Sequence, residues 1–170
     1  GEVGEDVTHT VRTLKNVPME LKQSKQVPSS VYEEFEVRGE VVFPKAAFAK
    51  LNAVREAAGL PLFANPRNAG AGTIRQLDPS VAASRGLEFI AYSIEMDLPE
   101  LVLHSDEHTM ARELGFKVEP HDERLVNIAE IEGDIEHWGK KRDGLPYGTD
   151  GIVITVNSNA DAIGNPGCTL

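Results

Sequence analysis

The order of apolar and polar positions along the chain predicts three main strands. From 32 to 43 the sequence YEEFEVRGEVVF places charged residues between apolar ones or glycine, and this two-residue period is typical of a half-buried strand. The segments 87–94 (LEFIAYSI) and 151–156 (GIVITV) are apolar runs of strand length. A further short strand is predicted at 116–118.

Apolar residues three or four positions apart predict helices between these strands. After Pro44, which suits a first helical turn, residues 45–58 show this spacing and Gly59 ends it. Residues 128–141 form an acidic amphipathic pattern with the apolar residues on one face. The other predicted helical segments are 8–14, 105–114 closed by Gly115, and a turn that starts at Asp78-Pro79 within the loop 60–86. Helices mixed with strands predict an α+β fold, with mixed or antiparallel sheets and flanking helices.

The composition is that of one soluble globular domain. Of the 170 residues, 41% are apolar and 26% are charged, close to the average of such domains. No apolar run approaches the roughly 20 residues of a membrane-spanning helix, and the acidic start lacks the apolar segment of a signal peptide. The single cysteine, Cys168, excludes an internal disulfide and suits a reducing compartment.

Negative charge is concentrated in one stretch of the chain. The net charge of −10 by itself argues against a nucleic-acid-binding protein, because such proteins bind phosphates with Lys and Arg. Residues 95–136 hold 13 acidic and three basic residues, whereas the rest of the chain has 14 of each. We therefore expect an acidic lobe beside a neutral body with local positive patches.

Two short motifs are too incomplete to indicate a site. His104 and His108 have the spacing of two zinc ligands on a helix, but the sequence offers no evident third ligand. We interpret them as part of a solvated helix end. The run Gly70-Ala71-Gly72 lacks the third glycine of a dinucleotide-binding loop, and no clear strand precedes it.

A longer set of motifs indicates a family. The set comprises Arg38-Gly39-Glu40 in a strand, the loop FANPRNAGAGTIRQLDP at 63–79, Phe89-Ile90-Ala91-Tyr92 in the next strand, Leu145-Pro146-Tyr147, and Asp150-Gly151-Ile152-Val153-Ile154. Together with GEDVT at 4–8 and VRT at 11–13, it closely resembles the nucleotidyltransferase (adenylation) domain of bacterial NAD+-dependent DNA ligases. The resemblance covers residues 1 to about 157, and the Asn-Pro-Arg-Asn loop makes it highly specific.

The resemblance implies an ATP-grasp-like nucleotidyltransferase fold and a three-step reaction. A lysine attacks the α-phosphate of NAD+ and releases nicotinamide mononucleotide. AMP then passes to the 5′-phosphate at a nick in double-stranded DNA, and the 3′-hydroxyl expels AMP to seal it. The implied cofactors are NAD+, as AMP donor, and Mg2+. The implied partners are nicked DNA and the remaining ligase domains, and the implied location is the bacterial cytoplasm, at the nucleoid.

Arginines form the phosphate-binding part of the implied site. Arg67 and Arg75 lie in a loop in which residues 64–77 contain no acid, and the planar guanidinium suits bidentate phosphate contacts. By resemblance these two arginines bind phosphates and the nick, and Arg142 binds phosphate. The alternative is that the loop arginines are simply solvated and that Arg142 marks a helix C-terminus, where positive charge is favourable.

The resemblance places the nucleoside and the metal on four further residues. Glu40 accepts a hydrogen bond from a ribose hydroxyl, while Tyr92 offers a ring face to adenine and Val153 closes the opposite face. Asp150 holds Mg2+ through water. The alternatives are a cross-strand ion pair for Glu40 and core packing for Tyr92 and Val153.

Three departures from the family pattern bear on activity. Lys141-Arg142-Asp143-Gly144 matches the Lys-x-Asp-Gly pattern of the adenylated lysine, but it lies about a hundred residues after the Arg-Gly-Glu strand, which the family nucleophile precedes. Thr155 stands where family members carry a lysine, so the phosphate site lacks a cation. The sequence also diverges after Asn157. We therefore predict an adenylation domain at 1–157 without its nucleophile segment and a divergent tail at 158–170, so that the fold is truncated at both ends.

These departures leave two other functions open. A ligase-derived nucleotide- or DNA-binding or scaffold module without catalysis is favoured by Thr155 and by the divergent tail. An ATP-using polynucleotide ligase or capping relative is disfavoured by the Asn-Pro-Arg-Asn loop. As part of a ligase, the isolated chain is expected to bind adenylate weakly at best and not to adenylate itself.

Overall fold

A computed structural model describes residues 3–25, 27, 29–32, 34–95, 101–121 and 123–158. Within this part the chain forms two strands and six α-helices. The strands are β1 (Glu36–Val42) and β2 (Glu88–Glu95). The helices are α1 (Thr8–Val11), α2 (Lys45–Ala57), α3 (Pro66–Ile74), α4 (Pro79–Arg85), α5 (His104–Leu114) and α6 (Ile128–Lys141), with short 3-10 turns at Ser29–Tyr32 and Arg142–Gly144. This confirms the mixture of helices with antiparallel strands. None of the described helices is long and apolar enough to cross a membrane.

Most of the predicted helices are confirmed. Helix α6 has the predicted bounds, and α2 and α5 differ from the prediction by one residue at one end. Gly115 follows α5 with a φ of 103°, a left-handed conformation that glycine adopts without steric cost. The first helix ends at Val11 instead of residue 14, and a turn follows it.

The two strands pair antiparallel in a single sheet, with Glu36 opposite Glu95 and Val42 opposite Glu88. The register shifts between Arg38, which faces Ser93, and Gly39, which faces Ala91. Tyr92 is therefore the extra residue of a β-bulge.

The predicted third strand at 151–156 is wrong, because this segment joins neither strand of the described sheet. An apolar run becomes a strand only where a neighbour takes up its backbone hydrogen bonds. The segment holds one isolated bridge position, Val153, and no strand. Val153 and Val156 are 75% and 46% exposed. The short strand predicted at 116–118 is reduced to one parallel bridge between Val118 and Ala91. The first strand begins at Glu36, four residues later than predicted.

Two apolar clusters pack on one face of the sheet, and Phe89 contacts both. The first joins β2 to α5, whose Leu114 is fully buried. The second joins β1 and β2 to α2 and α3 through Phe43 and Ala69. The opposite face of β1, with Glu36, Arg38 and Glu40, is exposed. This second face, called the open face below, is exposed along β1, although Ile90 opposite Glu40 is only 9% exposed.

Helix α5 also covers the outer edge of β2. The Glu107 carboxylate accepts hydrogen bonds from the Ile94 amide at 3.2 Å and the Ser93 hydroxyl at 3.0 Å. His108 Nε2 donates to the Tyr92 carbonyl at 2.8 Å. These side chains replace part of the ladder that a third strand would supply, so an otherwise unpaired edge is protected.

Glu107 gives the fold a testable pH dependence. Burial raises the pKa of its carboxyl, but hydrogen bonds from His104, Ser93 and Ile94 outweigh burial and leave the pKa below its ordinary value of 4.5. A lowered folded-state pKa stabilises the protein above the unfolded value, and this stability is lost as the pH falls through the folded value. We expect the difference in free energy of unfolding between the unsubstituted chain and Glu107→Gln to shrink as the pH falls below about 4.5.

Urea unfolding at a series of pH values measures this difference. The matched control is Glu56→Gln, which removes an exposed carboxylate from α2 and should run parallel to the unsubstituted chain. A difference between Glu107→Gln and the unsubstituted chain that does not change with pH would contradict the assignment.

Candidate functional site

The open sheet face carries two of the predicted nucleoside-binding residues. Glu40 is exposed on β1 opposite Ile90, and within the described residues its carboxylate has no hydrogen bond or ion pair. Tyr92, at the bulge of β2, is 51% exposed. Neither the ion pair considered for Glu40 nor full core packing of Tyr92 is therefore observed. An exposed carboxylate and an exposed aromatic residue thus lie close in the register of the two adjacent strands.

Arg38 lies two residues before Glu40 on β1, next to the bulge, and belongs to an ion-pair network. Its guanidinium is 2.6 Å from Glu36 and 2.7 Å from Glu95, which links the two strands. Its pKa is raised, first by the hydrogen bond to Glu36 and then by the acidic groups of Glu36, Glu95 and Tyr92. The sequence did not identify this network, although the alternation of charges in β1 was its signal.

The Asn-Pro-Arg-Asn segment begins helix α3. The Asn65 side chain accepts hydrogen bonds from the amides of Arg67, at 2.7 Å, and Asn68, at 3.4 Å. Pro66 occupies the first turn, where its missing N–H is not needed. The motif thus fixes the start of a helix and leaves Arg67 exposed in its first turn.

The structure brings Arg67 and Asp150 together across 83 residues of sequence. Arg67 Nη1 donates to Asp150 Oδ2 at 3.1 Å. Both side chains are largely exposed, at 74% and 90%. The pair therefore joins one of the predicted phosphate-binding arginines to the predicted magnesium-binding carboxylate.

We expect the Arg67–Asp150 pair to contribute little to stability. Exposed ion pairs are screened by water and salt, and their coupling energies are about 0.2–1 kcal/mol. Arg67→Gln and Asp150→Asn should each change the free energy of unfolding by less than about 0.5 kcal/mol. A double-mutant cycle in urea measures the coupling, and a value of several kcal/mol would show that the pair is structural.

The other two arginines lie apart from this pair. Arg75, the residue after α3, is eight residues from Arg67, or about 12 Å along a helix axis. Its Nε is 2.8 Å from the Glu5 carboxylate. Arg142 follows α6 in the 3-10 turn and is half exposed, with Asp143 at 3.8 Å. The structure gives no direct contact between these arginines and the Arg67–Asp150 pair.

Two open cavities are described, and the predicted site residues line neither of them. One, of about 430 Å³, lies beside α6 and is lined by His121, Trp138 and Lys141 among others. The other, of about 720 Å³, lies between α1 and β1. The predicted residues thus contribute to neither of these two cavities.

The remaining predicted positions lie in or beyond the last described segment. Val153 and Thr155 are exposed in the segment that forms no strand. Lys141 is also exposed, at the end of α6. Cys168 and all but the first residue of the predicted tail 158–170 lie outside the described residues.

Comparison with known proteins adds evidence independent of this geometry. Residues 1–163 match the family model described as NAD-dependent DNA ligase adenylation domain. The chain is 52% identical over 158 residues to a DNA ligase of Limosilactobacillus reuteri (strain DSM 20016), which covers 92% of this chain and 22% of the relative.

Two other relatives show the same partial coverage. Identity is 45% over 162 residues to a DNA ligase of Shouchella clausii (strain KSM-K16), covering 95% of this chain and 23% of the relative. Identity is 46% over 168 residues to a DNA ligase of Limosilactobacillus fermentum (strain NBRC 3956 / LMG 18251), covering 97% of this chain and 24% of the relative. The chain thus spans less than a quarter of the length of these curated relatives. Because residues 1–163 of this chain match the family model, the chain belongs to the adenylation-domain family of NAD-dependent DNA ligases.

Proposed function

We propose that this chain is part of an NAD+-dependent DNA ligase, in which it binds the adenylate that is transferred from NAD+ to nicked DNA. The observation that carries the proposal is the open sheet face. It presents Glu40, an exposed carboxylate without a partner among the described residues, and Tyr92, an exposed aromatic residue on the adjacent strand. A carboxylate accepts well from ribose hydroxyls, and a base stacked on an aromatic ring gains about 1–3 kcal/mol.

This face supplies one wall of the proposed site. Val153 is proposed to close the opposite side of the adenine, and its exposure in the described chain is consistent with a residue that contacts a ligand or another segment. The core beneath the wall is packed, so the wall is preorganised and the ordering cost on binding is small on this side.

The proposed phosphate groups are Arg67, Arg75 and Arg142. They are exposed guanidinium groups, and fixed cations stabilise the charge that moves between phosphate oxygens during adenylyl transfer. The Arg67 backbone amide bonds the Asn65 side chain at the start of α3, and its guanidinium bonds the exposed Asp150 carboxylate. Since Arg75 pairs with the exposed Glu5, this weak pair can exchange for a phosphate.

Asp150 fits the water-mediated magnesium contact that the family implies. One carboxylate oxygen bonds Arg67 and the side chain is 90% exposed, which leaves room for a hydrated ion. Magnesium in phosphoryl-transfer sites typically uses one or two carboxylates, waters and substrate phosphates. When bound, it would neutralise phosphate charge, while Arg67 orients the carboxylate.

A chimera tests whether this chain supports the activity. In it, this chain replaces the matching segment of the Limosilactobacillus reuteri ligase, which supplies the flanking segments. We expect label from the adenylate half of NAD+ to become attached to the chimera and label from ATP not to. The rate should be about 10²–10³-fold below that of the parent ligase, because Thr155 removes one preorganised cation.

The outcomes separate the competing functions. No label from either donor would favour the non-catalytic binding module, and label from ATP alone would favour the ATP-using class. The matched control is Lys141→Arg in the chimera, which should keep the label because we do not assign Lys141 as the nucleophile. Loss of label in that control would show that Lys141 is the adenylated lysine.

A further inference from the structure

We propose that His108 and Glu107 of α5 are positioning residues for Tyr92, holding the bulge of β2 so that the ring faces the open side of the sheet. The inference rests on the proposed function only in assigning the ring to adenine. Its structural part, that α5 sets the orientation of Tyr92, stands on the contacts below.

Tyr92 lies where the sheet itself cannot fix it. Arg38 is opposite Ser93 and Gly39 is opposite Ala91, so no residue of β1 is paired with Tyr92. The extra residue of a bulge is left out of the regular ladder, and its side-chain direction depends on local contacts. Something other than β1 must therefore define the conformation at this residue.

His108 supplies the contact at Tyr92 itself. Its Nε2 is 2.8 Å from the Tyr92 carbonyl oxygen. Because a carbonyl oxygen only accepts, the Nε2 atom carries the proton and donates. His108 is 8% exposed, so the bond is shielded from water, and its loss would leave a buried acceptor unsatisfied.

Glu107 fixes the two residues that follow. Its Oε2 atom accepts from the Ser93 hydroxyl at 3.0 Å and from the Ile94 amide at 3.2 Å. The same oxygen is 3.3 Å from His104 Nδ1. Adjacent residues of one helix thus bind three consecutive residues of β2, beginning at the bulge.

Helix α5 is itself held at both ends. Leu114 and Ala111 are buried in the first core cluster. At the other end Asn157 accepts from the amides of His104 and Ser105, each at 2.9 Å. These contacts make α5 a fixed support, and the orientation of Tyr92 follows from it.

Paired variants of His108 in the 170-residue chain test the proposal. Leucine fills the buried position but has no hydrogen-bond donor, whereas the side-chain amide of glutamine can donate in place of Nε2. Ring signals are read by NMR after selective labelling of the chain's three tyrosines, and AMP affinity is read by titration. We expect His108→Leu to shift the Tyr92 ring signal and to weaken AMP binding about tenfold, the loss expected when the ring no longer stacks on adenine. His108→Gln should stay within about twofold.

A packing variant on the same helix separates positioning from general destabilisation. Met110 packs against the first core cluster, so Met110→Ala should lower stability and leave the Tyr92 signal unchanged. The proposal is overturned if His108→Leu leaves the Tyr92 signal unmoved or if Met110→Ala moves it equally. If AMP does not perturb Tyr92 in the unsubstituted chain, the proposed adenine contact fails. The ring signal of His108→Leu still decides the positioning role.

Discussion

Replacing Gly39 with alanine is expected to lower the free energy of unfolding by about 2–3 kcal/mol, near the upper end of overpacking costs. A Cβ at this position would lie well inside van der Waals contact with the Phe89 ring and with the Ile90 carbonyl oxygen. The ring could move only by disturbing both core clusters, because Phe89 packs against each of them. The carbonyl belongs to the paired strand and cannot move without shifting the register.

Urea or thermal unfolding measures this loss, and Gly72→Ala is the matched control. Gly72 lies in α3 with no atom within 4 Å of an added Cβ. Alanine there should stabilise the chain by about 0.5–1 kcal/mol, as expected in a helix interior. Equal effects of the two substitutions would contradict the close approach of the strands at the bulge.

The second large effect concerns the cation that the phosphate site lacks. We expect Thr155→Lys to raise the rate of adenylation of the chimera by NAD+ about 10²-fold, since one preorganised cation at a transferring phosphate contributes roughly 10²–10³ in rate. Thr155 is exposed in the segment after Asp150, so a longer side chain meets no core packing. The measurement is the initial rate of label transfer at saturating NAD+.

Thr155→Gln is the control for this prediction, because it adds length and polarity without charge. It should leave the rate within about threefold of the unsubstituted chimera. The ratio of the rates of the lysine and glutamine variants then measures the contribution of the positive charge. If lysine and glutamine behave alike, position 155 does not reach the phosphates, and the departure from the family pattern is unrelated to activity.

The local signals in the sequence predicted the helices well. Asp78 before Pro79 begins α4 as predicted, whereas helix α3, capped by Asn65, lies in the segment 60–86 that was predicted to be a loop. Such signals act within a few residues, so they are readable without knowledge of the fold. The segment 151–156 is an apolar run like β2, but a strand also needs a partner strand. The described sheet contains only β1 and β2.

The candidate site was only partly predictable for the same reason. The exposure of Glu40 follows from the alternation in β1, and the resemblance identified Tyr92. The Arg67–Asp150 contact joins residues 83 positions apart, and no period in the sequence encodes such a distance. The support of Tyr92 by α5 was also missed. The prediction of a solvated helix end for His104 and His108 is wrong, because His108 is 8% exposed. Its partner is a backbone carbonyl on β2, which leaves no trace in residue types.

The most direct measurement of the central claim is a set of intermolecular NOEs between millimolar AMP and the isotope-labelled chain. The account predicts contacts from the adenine protons to the Tyr92 ring and from the ribose protons to Glu40 on the open sheet face. Adenine contacts to Trp138 in the cavity beside α6, with none to Tyr92, would contradict it.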